Sequence, residues 1–289
     1  MSDASASPIP ANTATANTAT PASTPVASPT ERVQAWIDGR TLHIRFNNPA
    51  RHNALSVDMW QAIPALLAQA VADDAIRLVV FSGAGGKAFV SGADISQFED
   101  QRAAREAVTR YEAMAEDALS AIADCAKPTL ACIQGYCIGG GVNVAIACDL
   151  RIASSDSMFS IPAARLGLGY RYSAMKNLID LIGPGAAKDL FFTARRIDAQ
   201  EAHRLGLVSR TCAPEALPTL LAEYCDALAV NAPLTVQAAK VITAEILKAS
   251  PDIDLPRCQQ LIRGCFESDD YAEGRRAFME KRKPVFRGR

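Results

Sequence analysis

The chain carries almost no charge imbalance. A formal net charge of −1 and a pI near 6.3 give no general attraction to nucleic acid or to an anionic membrane. No apolar run reaches the roughly 18 residues a membrane span needs, so none is predicted. The eight cysteines (Cys125, Cys132, Cys137, Cys148, Cys212, Cys225, Cys258 and Cys265) never form CxxC and lie mostly inside apolar segments. That pattern predicts reduced core thiols in a cytoplasmic protein, with no disulfide framework and no metal site. Neither GxxxxGK followed by Ser or Thr nor GxGxxG occurs, so the usual nucleotide-phosphate loops are missing. Arg32 is the first basic residue and no apolar block precedes it, which predicts neither a secretory signal nor a mitochondrial presequence.

What is present is enough for one folded unit. The 289 residues are 49% hydrophobic and 21% charged, ample for a core of domain size. Residues 1–30 are dominated by Ala, Ser, Thr, Pro and Asn with Asp3 the single charge, and are predicted to be a disordered tail. The alternating runs Val33–Ile37 and Thr41–Phe46 flank Asp38-Gly39, a hairpin signature. A helix is predicted from Val57 to Ala72, capped by Asn53 or Ser56. His43, on a strand, reads as a packing or surface residue, since no Ser or Cys nucleophile pattern accompanies it.

The chain is organised around Gln134–Asp149. A short apolar strand, Pro128–Ile133, leads through Gly139-Gly140-Gly141 into Val142–Cys148, small and apolar on all sides as a buried helix would be. Strand, glycine turn and helix leave free N–H groups at the positive end of a helix dipole. Either a phosphate or an oxyanion formed in acyl chemistry fits there, and glycines that merely allow close packing would read the same. A second strand and glycine loop, Leu78–Asp94, ends in Ser91-Gly92-Ala93-Asp94, and Pro49–Leu55 carries PxxxNAL.

Together NPARHNAL, SGADI, GYCIGGG and CDLRIAS resemble the crotonase family, also called the enoyl-CoA hydratase/isomerase superfamily, from about Val33 to the C-terminus. The resemblance implies an α/β fold: a crotonase-like spiral of ββα units over residues 31–213 and a C-terminal helical trimerisation region over 214–289. It implies an acyl-CoA substrate with coenzyme A as part of it, no permanently bound cofactor, and a homotrimer or dimer of trimers. It assigns an oxyanion hole to the N–H groups of Ala93 and Gly140. Coenzyme contacts fall on Ala50, Arg51 and His52, on Ala93, Asp94, Ile95 and Gly140, and on Phe278 and Lys281 of a closing helix that reaches a neighbouring subunit. Without the resemblance, Arg51 reads equally as a solvated loop residue, Asp94 as a helix cap and the basic end Arg275–Lys283 as a solvated helix end. A lysine that family members often carry two residues after the aspartate is Ser96 here.

The sequence departs from the family's hydratases at the reacting end. They place one glutamate two residues after the glycine triplet and another after the proline of FxxP; here these positions are Asn143 and Ala163. Neither side chain is a general base. Leu166–Tyr172 resembles a segment of the methylmalonyl-CoA decarboxylase branch in which a tyrosine faces the substrate, which makes Tyr170 the candidate polar group. Arg171, Tyr172 and Lys176 follow and could hold a carboxylated acyl group. Glu112 and Glu116, four apart on a predicted helix, form a solvated face or border the acyl pocket. Hydration, isomerisation, decarboxylation, hydrolysis and silent acyl-CoA binding all remain open at this stage.

Overall fold

The computed structural model describes residues 23–94 and 104–289, with only the backbone described over 104–108. Order begins earlier than composition predicts. Strand β1 (Thr24–Val26) pairs antiparallel with β2 (Val33–Asp38), Thr24 opposite Ile37, so the last part of the expected disordered tail is a sheet edge. Ladder pairing satisfies backbone groups whatever the side chains are, and composition does not register it. The hairpin is as predicted: β2 pairs antiparallel with β3 (Thr41–Phe46), and Gly39 turns it with φ +56. On its outer face His43 stacks on Trp36 at 4.9 Å between ring centroids, and burial lowers its pKa, which agrees with a packing role. Helix α1 (Val57–Ala72) has the predicted bounds. Ser56 holds the cap position, but its hydroxyl donates to Asp58 and accepts from no backbone N–H of the first turn. Asn53 locks the preceding loop, donating to the carbonyls of Ala84 and Ala88.

From there a unit repeats. Strands β4 (Leu78–Gly83) and β5 (Ala88–Val90) precede helix α2 (Ala104–Ala123); β6 (Thr129–Ile133) and β7 (Tyr136–Ile138) precede α3 (Gly140–Ala147); β8 (Leu150–Ser154) and β9 (Met158–Ser160) precede α4 (Ala163–Leu166) and α5 (Tyr172–Thr193). Strand β10 (Ile197–Asp198), α6 (Ala199–Arg204) and β11 (Arg210–Cys212) close the series. The first strand of each unit joins a seven-stranded sheet, β1-β2-β3-β4-β6-β8-β11, and the second joins a four-stranded sheet, β10-β9-β7-β5. Each ββα unit therefore makes one turn of a spiral, and β3-β4-β6-β8-β11 run parallel.

The large sheet is buried on both faces, which is why Leu78-Val79-Val80-Phe81 is unbroken apolar sequence. Val79 and Phe81 face the main core with Phe46, Phe89 and Trp60, whereas Leu78 and Val80 face Leu217 and Leu220 of α7 (Leu217–Val230). Arg151, buried in β8, donates to the carbonyls of Leu207 and Cys148, which ties the strand to the loop before β11. The apolar run Gly206-Leu207-Val208 reads in sequence as a return to strand, but it is that loop, and pairing starts at Arg210.

Two helical expectations need correction. Gly183-Pro184-Gly185-Ala186-Ala187 reads in sequence as the opening of a new helix, but it is the second half of α5, bent where Gly183 takes φ 76 and ψ 161 before Pro184. Residues 261–281 read in sequence as one helix, but the structure has two, α9 (Leu255–Glu267) and α10 (Asp269–Met279), after α8 (Pro233–Ile246). Ser268 breaks it, its hydroxyl accepting from the N–H of Tyr271 at 3.1 Å with Asp269 and Asp270 in the first turn. No single helix among the described residues is long and apolar enough to cross a membrane.

Candidate active site

Strands β5, β7 and β9 are parallel, with a register shift between Ala88 and Val90 of β5, so the segments that leave them emerge at the same end of the small sheet. Ser91–Ala93 follows β5, Gly139-Gly140 follows β7 and Ile161–Ala163 follows β9. With Trp60 of α1, one face of α2 and Leu166–Arg171 they enclose a largely apolar cavity of about 360 Å³, a size suited to a small ligand.

Two backbone donors open into it. Leu55 N–H donates to the carbonyl of Gly92 (2.8 Å) and its own carbonyl accepts from Asp94 N–H (2.9 Å), so backbone alternation turns the N–H of Ala93 to the opposite side. The N–H of Gly140 is the first of α3, where no helical carbonyl can reach it. Neither N–H has a hydrogen-bond partner among the described residues. Gly139 supplies the turn at φ 52 and ψ −109, which a residue with a Cβ rarely adopts. The two segments touch: a Cβ on Gly140 would lie 3.6 Å from the carbonyl carbon of Gly92.

Opposite the donors, the residues expected at the reacting end come together. Tyr170 Oη donates to Asn143 Oδ1 at 2.9 Å, and its ring packs edge-on against Phe191. Ala163 presents a buried methyl group. Burial pushes the Tyr170 phenol up to about 12, against the opposing pull of the Asn143 bond, so it is neutral at physiological pH. Tyr111, which the sequence marks only as part of an apolar helix face, also lines the cavity. Its hydroxyl donates to the Leu55 carbonyl at 3.1 Å, and burial pushes it up to about 12. Its buried place on that face was the sole sequence signal.

Both phenols predict how the fold responds to alkali. Their folded pKa lies above the ordinary value near 10, so below pH 10 they contribute no slope. Between about pH 10 and 12 the unfolded chain ionises first, and stability falls by up to about 1.4 kcal/mol per pH unit for each phenol. Urea unfolding across pH 9 to 12 should show this fall and a shallower one for Tyr170→Phe; an unchanged slope in the variant would contradict it.

Glu112 and Glu116 do border the cavity, and both bind Arg171, at 3.5 and 3.3 Å. This corrects the expectation that Arg171 is free for a substrate carboxylate. Tyr172 is 82% exposed and Lys176 pairs with Asp180, and neither lines the cavity. Ala50, Arg51 and His52 form the turn beside Ser91–Asp94, where Arg51 Nη1 meets Asp94 Oδ1 at 3.1 Å. Asp94 is thus an ion-pair partner linking two loops. Ile95 and Ser96 lie outside the described residues. Phe278, 83% exposed, and Lys281 lie at the end of the C-terminal helices and do not line this cavity. All eight cysteines are free, and burial pushes the thiols of Cys132, Cys137 and Cys148 up, which makes them inert.

Comparison with known proteins agrees with this architecture. The sequence pattern of the family described as enoyl-CoA hydratase/isomerase matches residues 38–289. The short-chain-enoyl-CoA hydratase of Clostridium acetobutylicum is 31% identical over 85% of this chain and 94% of its own. The peroxisomal Delta(3,5)-Delta(2,4)-dienoyl-CoA isomerase of Arabidopsis thaliana is 31% identical over 89% of this chain and 96% of its own. Among solved structures, an enoyl-CoA hydratase/isomerase family protein from Hyphomonas neptunium superposes with a TM-score of 0.85 at 36% identity, covering 91% of this chain and all of that one. Spiral, paired glycine loops and similarity over residues 38–289 coincide: the chain belongs to the enoyl-CoA hydratase/isomerase family, the crotonases.

Proposed function

We propose that the protein is an enzyme acting on an acyl-CoA thioester, whose carbonyl oxygen is held by the N–H groups of Ala93 and Gly140 as an enolate forms. The observation that carries this reading is the pair of unpartnered N–H groups on touching loops at the edge of an apolar cavity. Preorganised donors of this kind stabilise developing negative charge without reorganising. The relatives support the substrate class, since their names describe hydratases and an isomerase of CoA esters.

The reaction is proposed to differ from ordinary hydration. By resemblance to the family's hydratases, Asn143 and Ala163 occupy the places of the two glutamates that handle water and proton, and neither titrates. Double-bond migration needs only one proton-moving group beside the oxyanion hole. A second reading, decarboxylation, is favoured by the neutral Tyr170–Asn143 pair, because loss of carbon dioxide generates the enolate without a base. The pairing of Arg171 with two glutamates weighs against it. We further propose that Ala50, Arg51, His52, Asp94 and Ile95 hold the coenzyme, completed by Phe278 and Lys281 of another subunit in a homotrimer or dimer of trimers.

Mass spectrometry of purified protein with crotonyl-CoA, a 3-enoyl-CoA, methylmalonyl-CoA and malonyl-CoA tests this. The expected result is conversion of the 3-enoyl ester with slow hydration of crotonyl-CoA. Rapid hydration would show that another group replaces the glutamates; carbon dioxide loss alone would select decarboxylation. Saturable ester binding with no turnover would make the chain a silent binder.

A further inference from the structure

Glu116 and Asn143 stand in a wall shared by two cavities. On one side is the acyl cavity; on the other is a cavity of about 150 Å³ whose lining includes Ser120, Asp124, Ser173 and Asn177 and which opens to solvent. Enolate formation requires a group that takes a proton from the carbon beside the thioester carbonyl. Tyr111 and Tyr170 already donate their protons to the Leu55 carbonyl and Asn143, and neither Asn143 nor Ala163 can accept one. Among the described residues, the carboxylates on the acyl cavity are Glu112 and Glu116. Glu112 is the more exposed side chain, at 56% against 32%, and does not reach the second cavity. Arg171 anchors the Glu116 carboxylate at 3.3 Å from a different segment of the chain.

From this placement we infer that Glu116 is the catalytic base, taking and returning the proton at the α-carbon, and that the smaller cavity is its path to water. The inference rests on the acyl-CoA reading. The step balances: Glu116 gains the proton, the C–H electron pair forms the carbon–carbon double bond of the enolate, and the thioester oxygen takes the negative charge facing Ala93 and Gly140. Reversal returns a proton from Glu116 to the same carbon, or to the γ-carbon when the substrate carries a 3,4 double bond. Arg171 is a positioning residue that holds the carboxylate in the wall. A Glu116 open to water exchanges its proton with solvent between the two steps.

The test uses a saturated ester, butyryl-CoA, in heavy water, with deuterium at the α-carbon read by mass spectrometry and ester binding by calorimetry. The unaltered protein is expected to incorporate deuterium. Glu116→Gln should lower the exchange rate at least tenfold with ester binding retained, and Glu116→Asp, which keeps a carboxylate, should retain part of it. Asp117→Asn, exposed on the next position of α2, should stay within twofold. Exchange in Glu116→Gln at the original rate would overturn the assignment. So would ester binding by the unaltered protein without any exchange, which leaves the acyl-CoA reading standing. Failure of butyryl-CoA and the other CoA esters to bind at all would overturn that reading and this inference together.

Discussion

Replacing Gly140 with proline is expected to lower kcat by about a hundred- to a thousand-fold while the protein stays folded, on whichever ester the turnover panel identifies. The substitution deletes one N–H and sets the proline Cδ where its hydrogen pointed, so both the donor and some of the room for the thioester oxygen are lost. Gly140 is the first residue of α3, the one helical position proline favours, because the N–H lost there has no intrahelical acceptor. A Cβ at this position meets Gly92 at 3.6 Å and Trp60 Cζ2 at 3.8 Å, ordinary contact distances. Because the charge on the oxygen is greater in the transition state than in the bound thioester, the lost donor should lower kcat, while the ring Cδ adds a rise in KM. Steady-state kinetics beside a circular-dichroism melt decide it. A folded Gly140→Pro protein with full kcat would overturn the proposed oxyanion-hole role of Gly140.

One residue further on, the expected effect moves from rate to stability. Gly141→Ala should cost about 3 kcal/mol or more, the upper end for overpacking, and lower the melting temperature by roughly 6 to 12 °C in a chain of this length. Its Cβ would lie 2.2 Å from the carbonyl oxygen of Val90 and 3.0 Å from the carbonyl carbon, backbone atoms of a buried strand that no rotamer can move aside. Helix α3 must then lift off β5, and the two donor loops separate. Gly264→Ala is the control: α9 leaves that position open, with nothing within 4 Å, so alanine should raise stability by about 0.5 to 1 kcal/mol. Calorimetric melts of both variants measure the contrast. Equal melting temperatures would mean that the strand yields where the packing says it cannot.

The two glycines show why part of this site was legible without a fold. A glycine triplet between an apolar strand and an apolar helix is a contiguous signal, and the turn it encodes is local. The hairpin about Asp38-Gly39 and the bounds of α1 were readable for the same reason. The strand at Thr24–Val26 was not, because its pairing is made by backbone and leaves no apolar pattern. The break at Ser268 was written in Ser268-Asp269-Asp270 but hidden by helical sequence on both sides.

The sequence by itself determined the two glycine loops, the motifs that carry the family resemblance and, only through that resemblance, the ββα spiral, together with the lack of a titrating group at Asn143 and Ala163. Tertiary structure alone decided which side chains meet. Tyr170 finds Asn143 across 27 residues, Arg51 finds Asp94 across 43, and Arg171 finds Glu116 across 55. Those pairs join separate turns of the spiral. Helix and strand periods state which face of an element is buried, but not which neighbour it will face, because that depends on how the turns stack. The stacking put Arg171 against Glu116, and with it a carboxylate into the wall of a cavity whose glycines had been readable from the start.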